Sequence, residues 1–464
     1  MALSYRKHAS KATVFKFKQI PISISTESPI VVPVVPEPSV VPETPVGEAS
    51  PWEPLASPIF RIFWLTSLAS NVGTWIHEVG AGWLMTSLDN SPHLVTAVRV
   101  AMSVPILLLA IPAGTLADRV DRRRLLIGIQ CVLMITAATI SWLTFAGRIT
   151  PGLLLALTCV MGLGMVVHVP TWQASIPELV PRRQLPQAVA LGSISFNLAR
   201  SIGPAIGGLM IATLGTWVTF AMNSVSFLIV LFVLLRWNRV ASPPIAKQSF
   251  RSAVVEGIVF AANDRSMRHV LVRVILFVMP ASALWSLMPL VAKEQLHWDS
   301  RGYGYLVGAV GFGAVAAALV LPCMRRRIGL DQTVFVATCL YACGLAITST
   351  SSNRLVVLGS MFVMGAGWMI VLTTLNSTAQ MTLPNSIRAR GMACYLSCMA
   401  GAMALGAWTW GAVAGATSPG IAELIAALLL PITAVAGNVA FGLVPWTGVI
   451  EPSLGIQNAA KIVD

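Results

Sequence analysis

The sequence of 464 residues is 56% hydrophobic and only 11% charged, against roughly 25% charged residues in soluble domains. With a mean hydropathy of +0.76, it excludes water as the main solvent of the folded surface. The net charge of +13 is spread in short basic clusters between long apolar runs, which is the pattern of membrane loops and not of a nucleic-acid stripe.

Residues 1–58 hold 10 of the 29 prolines and no continuous apolar core. They read as a disordered, proline-rich cytoplasmic leader, not a cleavable signal peptide, with a solvated basic start at Arg6, Lys7, Lys11, Lys16 and Lys18. A hydrocarbon core of roughly 30 Å needs about 20 apolar residues per helix. Such stretches are predicted near 60–87, 94–116, 125–146, 152–173, 188–213, 216–236, 270–292, 303–323, 332–350, 355–378, 391–415 and 421–445. They form a bundle over 59–238, a linker over 239–269, a second bundle over 270–446 and a cytoplasmic tail over 447–464. In the linker, Val254, Val255, Ile258, Val259 and Ala262 recur at helical spacing and predict an amphipathic surface helix.

Alternate connections differ sharply in charge. Seventeen Lys and Arg fall in one set, including Arg122, Arg182, Arg268 and Arg326, and four in the other, Arg148, Lys293, Arg301 and Arg354. The richer set belongs in the cytoplasm, and both termini with it. The chain repeats weakly at a separation of 207 residues: Gln173-Ala174-Ser175-Ile176-Pro177 matches Gln380-Met381-Thr382-Leu383-Pro384. Two bundles related by an axis along the membrane normal leave such a trace.

The seven cysteines all lie inside apolar segments without zinc-site spacing, so they read as packing residues, with no metal and no cofactor expected. There is no phosphate-cradling loop, nucleophile elbow or metal-binding helix pair. An enzyme is not expected, and no ATP-driven chemistry is read from the chain.

An ionisable side chain at membrane depth costs at least ~2.5–3.5 kcal/mol and needs a partner, water or a role. Glu78 lies deep in the first span with Asn71, Thr74 and Gly82 on its face; it is read as the proton-coupling carboxylate, or else as one member of a packing ion pair with Arg99 or Arg200. Arg200, in the middle of the fifth span, must pair or bind an anionic substrate, with Asn197 one turn away. Arg99 is read as snorkelling, His77 and His168 as packing residues, and Glu423 as an outer-surface residue. Trp75, Trp285 and Trp368, with Thr373 and Asn376, are expected to wall a central substrate cavity.

Gly114-Thr115-Leu116-Ala117-Asp118-Arg119-Val120-Asp121-Arg122-Arg123-Arg124 resembles motif A of the major facilitator superfamily. Ser201-Ile202-Gly203-Pro204-Ala205-Ile206-Gly207-Gly208 is similar to its glycine-proline motif C, associated with antiporters. With Trp83, Pro170-Thr171-Trp172-Gln173, Asn197, Arg200 and Asn223, these resemble the subfamily containing the enterobactin exporter, of the transmembrane secretion effector type, over about 59–445. The resemblance implies an all-α membrane protein of major facilitator fold, with about twelve helices in two pseudo-symmetric six-helix bundles. It implies a conformational latch of Gly114, Asp118, Arg119, Arg122 and Arg123, with Gly114 permitting close helix approach and Asp118 at the positive end of the eleventh span near Gly391, worth roughly 0.3–1 kcal/mol. The second half carries Arg325 where the aspartate belongs. The function implied is proton-coupled export of a small organic compound, siderophore or drug-like, from a bacterial inner membrane, with protons and lipid as further partners and the monomer as the unit. Proton-symport uptake and a non-transporting signalling or scaffold protein remain open as readings.

Overall fold

The computed structural model describes residues 50, 52–237, 250–383 and 388–443, without the side chains of 115, 117–119, 250–254, 256, 257 and 389. Most of the expected leader and the whole tail lie outside the described residues. All regular structure among the described residues is helical.

The first half comprises α1 (Pro58–Leu88), α2 (Pro92–Arg119), α3 (Arg122–Phe145), α4 (Pro151–Ser175), α5 (Leu185–Leu214) and α6 (Trp217–Arg236). After the short α7 (Phe250–Asn263), the second half comprises α8 (Arg265–Leu290), α9 (Ser300–Thr350), α10 (Arg354–Thr382), α11 (Arg388–Ala416) and α12 (Pro419–Ala440). Nine segments are long and apolar enough to cross a membrane among the described residues. One of them, α9, holds two arms, 300–328 and 330–350, because Gly329 has φ 75° and ψ 178°, a conformation open only to glycine. Helices α1 and α5 run 31 and 30 residues and carry the polar residues of the site, which lowers their hydropathy. They complete twelve candidate crossings.

Helix starts are set by local chemistry. The Asp121 carboxylate accepts the Arg124 amide at 2.9 Å, Asp264 accepts that of Met267 at 2.7 Å, and Thr150, Asn353 and Ser418 cap α4, α10 and α12. Each such cap is worth about 1 kcal/mol. Inside lipid the remaining backbone groups are paired along each helix, which is why no other regular element spans.

The leader's last residues are not free chain: 53–56 form a helical turn, and Glu53 accepts from Arg183 at 2.8 Å and Gln184 at 2.7 Å. The linker helix is present as α7, with Val255, Ile258 and Val259 exposed and Val254 outside the described side chains. It packs on α2, α8 and α11.

The halves meet along two seams, α2 against α11 and α5 against the first arm of α9. A Cβ on Gly208 would stand 2.5 Å from the Ser300 carbonyl oxygen, one on Gly304 2.7 Å from that of Pro204, and one on Gly311 2.5 Å from the Ser201 Cα. Only hydrogen at these positions lets the backbones cross so closely. The α2–α11 seam is tightest where Gly411 meets Thr96 and Gly415 meets His93. Both seams are therefore closest at the end holding the α1–α2 turn. Toward the α2–α3 end, α4 and α5 make no extended packing with α10 or α11 among the described residues.

Candidate functional site

Helices α1 and α2 form an antiparallel hairpin, so side chains similarly far from the turn come to the same depth. Glu78 of α1 and Arg99 of α2 pair at 3.3 Å, each about a quarter exposed. Arg99 does not snorkel: its guanidinium is held by Glu78 and lies 6.0 Å from the Trp285 ring of α8 in the opposite half, a cation–π contact worth about 0.5–2 kcal/mol. Of the two arginines, Arg99 is thus the one beside Glu78, while Arg200 turns elsewhere.

The aromatic wall spans both halves. Trp75 lies 6.5 Å from Trp285, Trp285 5.5 Å from Trp368, and Trp368 packs on Phe277 and Tyr341. Trp83 stacks on Tyr303 of α9 at 6.0 Å, and the Tyr303 hydroxyl reaches to 3.0 Å of the Cβ position of Gly82. Trp285 Nε1 is buried without an acceptor among the described residues.

Arg200 is 8% exposed. It donates to Asn197 Oδ1 at 2.8 Å and faces Met369 Sδ of α10 at 3.8 Å, while its Nε has no partner among the described residues. Thr373 donates to the same sulfur at 3.3 Å, so Arg200, Asn197 and Thr373 converge across the halves. Asn71 donates to Ser195 of α5 at 3.2 Å. Thr74 spends its hydroxyl on the Ser70 carbonyl, and Asn376 accepts from Gln380 at 2.6 Å.

Motif C serves two contacts. Gly203 and Gly207 admit Trp75, Val72 and Ile76 of α1, and Gly208 admits α9; Pro204 is accommodated inside α5. In motif A, the side chains of Asp118 and Arg119 lie outside the described residues, and with them the expected latch. The close approach expected at Gly114 is not found: no described atom would come within 4 Å of a Cβ there, because the seams close at the other end. Arg122 donates to the Ala174 carbonyl and to Glu178, both at 2.8 Å. Arg123 donates to the carbonyls of Leu234 and Leu235, at 2.8 and 2.6 Å, closing the C terminus of α6.

Three groups escaped the sequence reading. At the α1–α2 end, Lys293 donates to the Thr86 carbonyl and Asn90 to Glu294; these partners sit on a π-helical turn, 291–295, at the foot of α8. Gln130 and His168 pair at 3.3 Å between α3 and α4. Glu423, expected on the outer surface, is 0% exposed, because α12 is packed by α8, α9 and that turn, with the Ser349 carbonyl oxygen and Gln295 Oε1 standing 3.1 and 3.7 Å from the Cβ position of Gly420 at the start of α12.

Two halves that touch along glycine seams, with a charged and aromatic site between them, define a multi-pass membrane transporter of major facilitator type. The model of the transmembrane secretion effector family matches residues 49–452, and the chain belongs to that family. It is 25% identical over 302 residues to the staphyloferrin A transporter of Staphylococcus aureus, covering 64% of this chain and 75% of that one. It is 23% identical over 336 residues to the multidrug efflux pump Tap of Mycolicibacterium fortuitum, with 70% and 81% covered. A nucleoside transporter, NupG, superposes with a TM-score of 0.64 at 14% identity over 82% of this chain and 98% of that one, which shows the fold.

Proposed function

We propose that this protein is a secondary active exporter of the bacterial inner membrane, acting as a monomer with both termini in the cytoplasm, which moves a small anionic organic compound outward in exchange for protons. The observation that carries it is Arg200. A guanidinium buried between the halves without a carboxylate among the described residues is a binding group for an anion. The unpartnered Trp285 Nε1 adds a second donor toward a substrate, and the tryptophan wall suits its apolar part. A siderophore transporter and a multidrug pump among the relatives agree with a small organic cargo.

Glu78 is the coupling group. Protonation of Glu78 dissolves its pair with Arg99 and releases the guanidinium that the pair holds 6.0 Å from the Trp285 ring, loosening that contact between the halves. Alternation is then a rocking of one half on the other about the glycine seams. The excess of Lys and Arg at the α2–α3 end supports a cytoplasmic orientation of that end.

The test is reconstitution in vesicles under an imposed pH gradient, with a panel of polycarboxylate chelators and neutral and cationic drugs. Wild type is expected to move anions against the proton gradient, Arg200→Ala to lose binding and Glu78→Gln to keep binding but lose pH-driven flux. Exchange intact in Glu78→Gln refutes the coupling; preference for cations refutes the anionic cargo.

A further inference from the structure

We propose that Glu423 is a proton-binding site of the second half, taking up a proton from the α1–α2 side as that end closes and returning it to the same side when the end opens. Glu423 is the fifth residue of α12, is 0% exposed, and has no hydrogen-bond partner for either carboxylate oxygen among the described residues. An ionised carboxylate in that position forgoes water and receives nothing in exchange.

Among the described residues no cation offers itself as counter-charge. On the second arm of α9, Tyr341 is the titratable group in electrostatic contact with Glu423, but its hydroxyl is donated to the Ala281 carbonyl at 2.8 Å. Cys339 is half-buried and Cys343 exposed. In the π-helical turn, Lys293 and Glu294 are engaged with Thr86 and Asn90 of the first half. On α8, His269 and Arg273 lie at the far end, bound to Gly442 and Asp331. The arginines of α11, Arg388 and Arg390, start that helix at the same far end, and α12 has no second titratable residue.

What faces the start of α12 is another acceptor. Gln295 gives its Nε2 to the Thr348 carbonyl at 2.6 Å, leaving Oε1 buried without a donor at 3.7 Å from the Cβ position of Gly420. Gly420 is three residues before Glu423, on the same helix face, and helical side chains lean toward the N terminus. A carboxylate and a carboxamide oxygen, both lacking a donor, are completed by one proton on Glu423.

Gln295 is the last residue of the turn whose Lys293 and Glu294 grip the first half. When that grip opens, the cover over Glu423 moves and water reaches the carboxyl, which passes its proton to water as hydronium and remains as carboxylate. Because the closed state binds the proton more tightly, acid on the α1–α2 side favours closure. This inference rests on the alternating-access reading, but not on proton-coupled flux.

The experiment uses the full chain in lipid nanodiscs. Infrared difference spectra across a pH series are expected to contain a protonated-carboxyl stretch from a dry site, lost entirely in Glu423→Gln and retained in Glu78→Gln. Spin labels at Ser87 and His297, in a cysteine-free background, are expected to report opening as pH rises in wild type and a closed, pH-independent distance in Glu423→Gln. A band untouched by Glu423→Gln, or equal pH dependence of the distance in both proteins, overturns the proposal. Loss of the band on adding Na+ at fixed pH also overturns it, in favour of a metal-ion site. Should the variant fail to fold, isotope-labelled glutamate in wild type decides: a dry carboxylic acid must be present at neutral pH. If the site titrates as described while no pH-driven flux is found, the exporter reading fails and this inference stands.

Discussion

Replacing Gly208 by alanine puts a methyl group 2.5 Å from the Ser300 carbonyl oxygen and 2.9 Å from the Gly304 Cα. Both neighbours are backbone, so neither swings aside, and ordinary contact begins at 3.4 Å. The α5–α9 crossing must therefore widen by about 0.9 Å, an overpacking that costs roughly 1–3 kcal/mol. The cost falls on the state in which the α1–α2 end is closed and vanishes when that end parts, so the closed population should fall by about 5–150-fold relative to the open one. Electron-paramagnetic distance measurement between labels at Ser87 and His297 reads this directly, as a second, longer distance gaining weight. Gly192→Ala is the control, since it lies on the same helix with no atom within 4 Å of its Cβ position. If Gly208→Ala matches Gly192→Ala in distance distribution, the glycine seam does not set the closed state, and the reasoning fails.

Glu78→Gln and Arg99→Gln should each destabilise the protein in detergent by about 1–2 kcal/mol, between the exposed and buried limits for ion pairs. The double variant should cost less than the two combined, and additive thermal shifts would show that the pair is not a unit. Arg122→Ala and Glu178→Ala should likewise be non-additive in stability, since one contact at 2.8 Å is shared. Gly329→Ala should lower thermal stability by the equivalent of about 1–3 kcal/mol, with Gly329→Asn no better, because φ 75° and ψ 178° lie outside the left-handed region that asparagine tolerates. A midpoint unchanged from wild type would refute that.

The spans were legible because hydrocarbon length and helical pairing leave few alternatives, and each predicted span has its helix. The corner inside α9 was not legible in detail: eight residues were read as a loop between 323 and 332, whereas one glycine turns the chain. Of the site, Glu78, Arg200 and the three tryptophans were readable as polar or aromatic residues at depth. The partner of Glu78 was not chosen, although the signal existed: Glu78 precedes Asp89 by eleven residues and Arg99 follows Ser91 by eight, which in a tight hairpin gives nearly equal depth. Counting from a helix end failed for Glu423, since distance along a helix does not say whether another element covers that end. The cover here is a π-helical turn, which no periodicity announces.

The two halves solve one structural problem with opposite chemistry. In the first half, the corner between α2 and α3 holds the C terminus of α6 through Arg123, a cation donating to the carbonyls of Leu234 and Leu235. In the second half, the corner inside α9 holds the end of α12 through Asp331, an anion accepting the Leu443 amide at 3.1 Å and bound to Arg273 of α8. Arg325, which stands where the first half has Asp118, donates to the hydroxyls of Thr374 and Ser377 on α10, at 3.0–3.2 Å, among the described residues. The acidic residue of the second corner thus works within its own half, tying three helices of that bundle together. A charge that binds its own half moves with it as a rigid body, and does not resist the parting of the halves. Among the described side chains, Glu78 beside Trp285 and Glu294 against Asn90 are carboxylates at contacts between the halves, and Glu423 is covered next to the turn that carries Glu294.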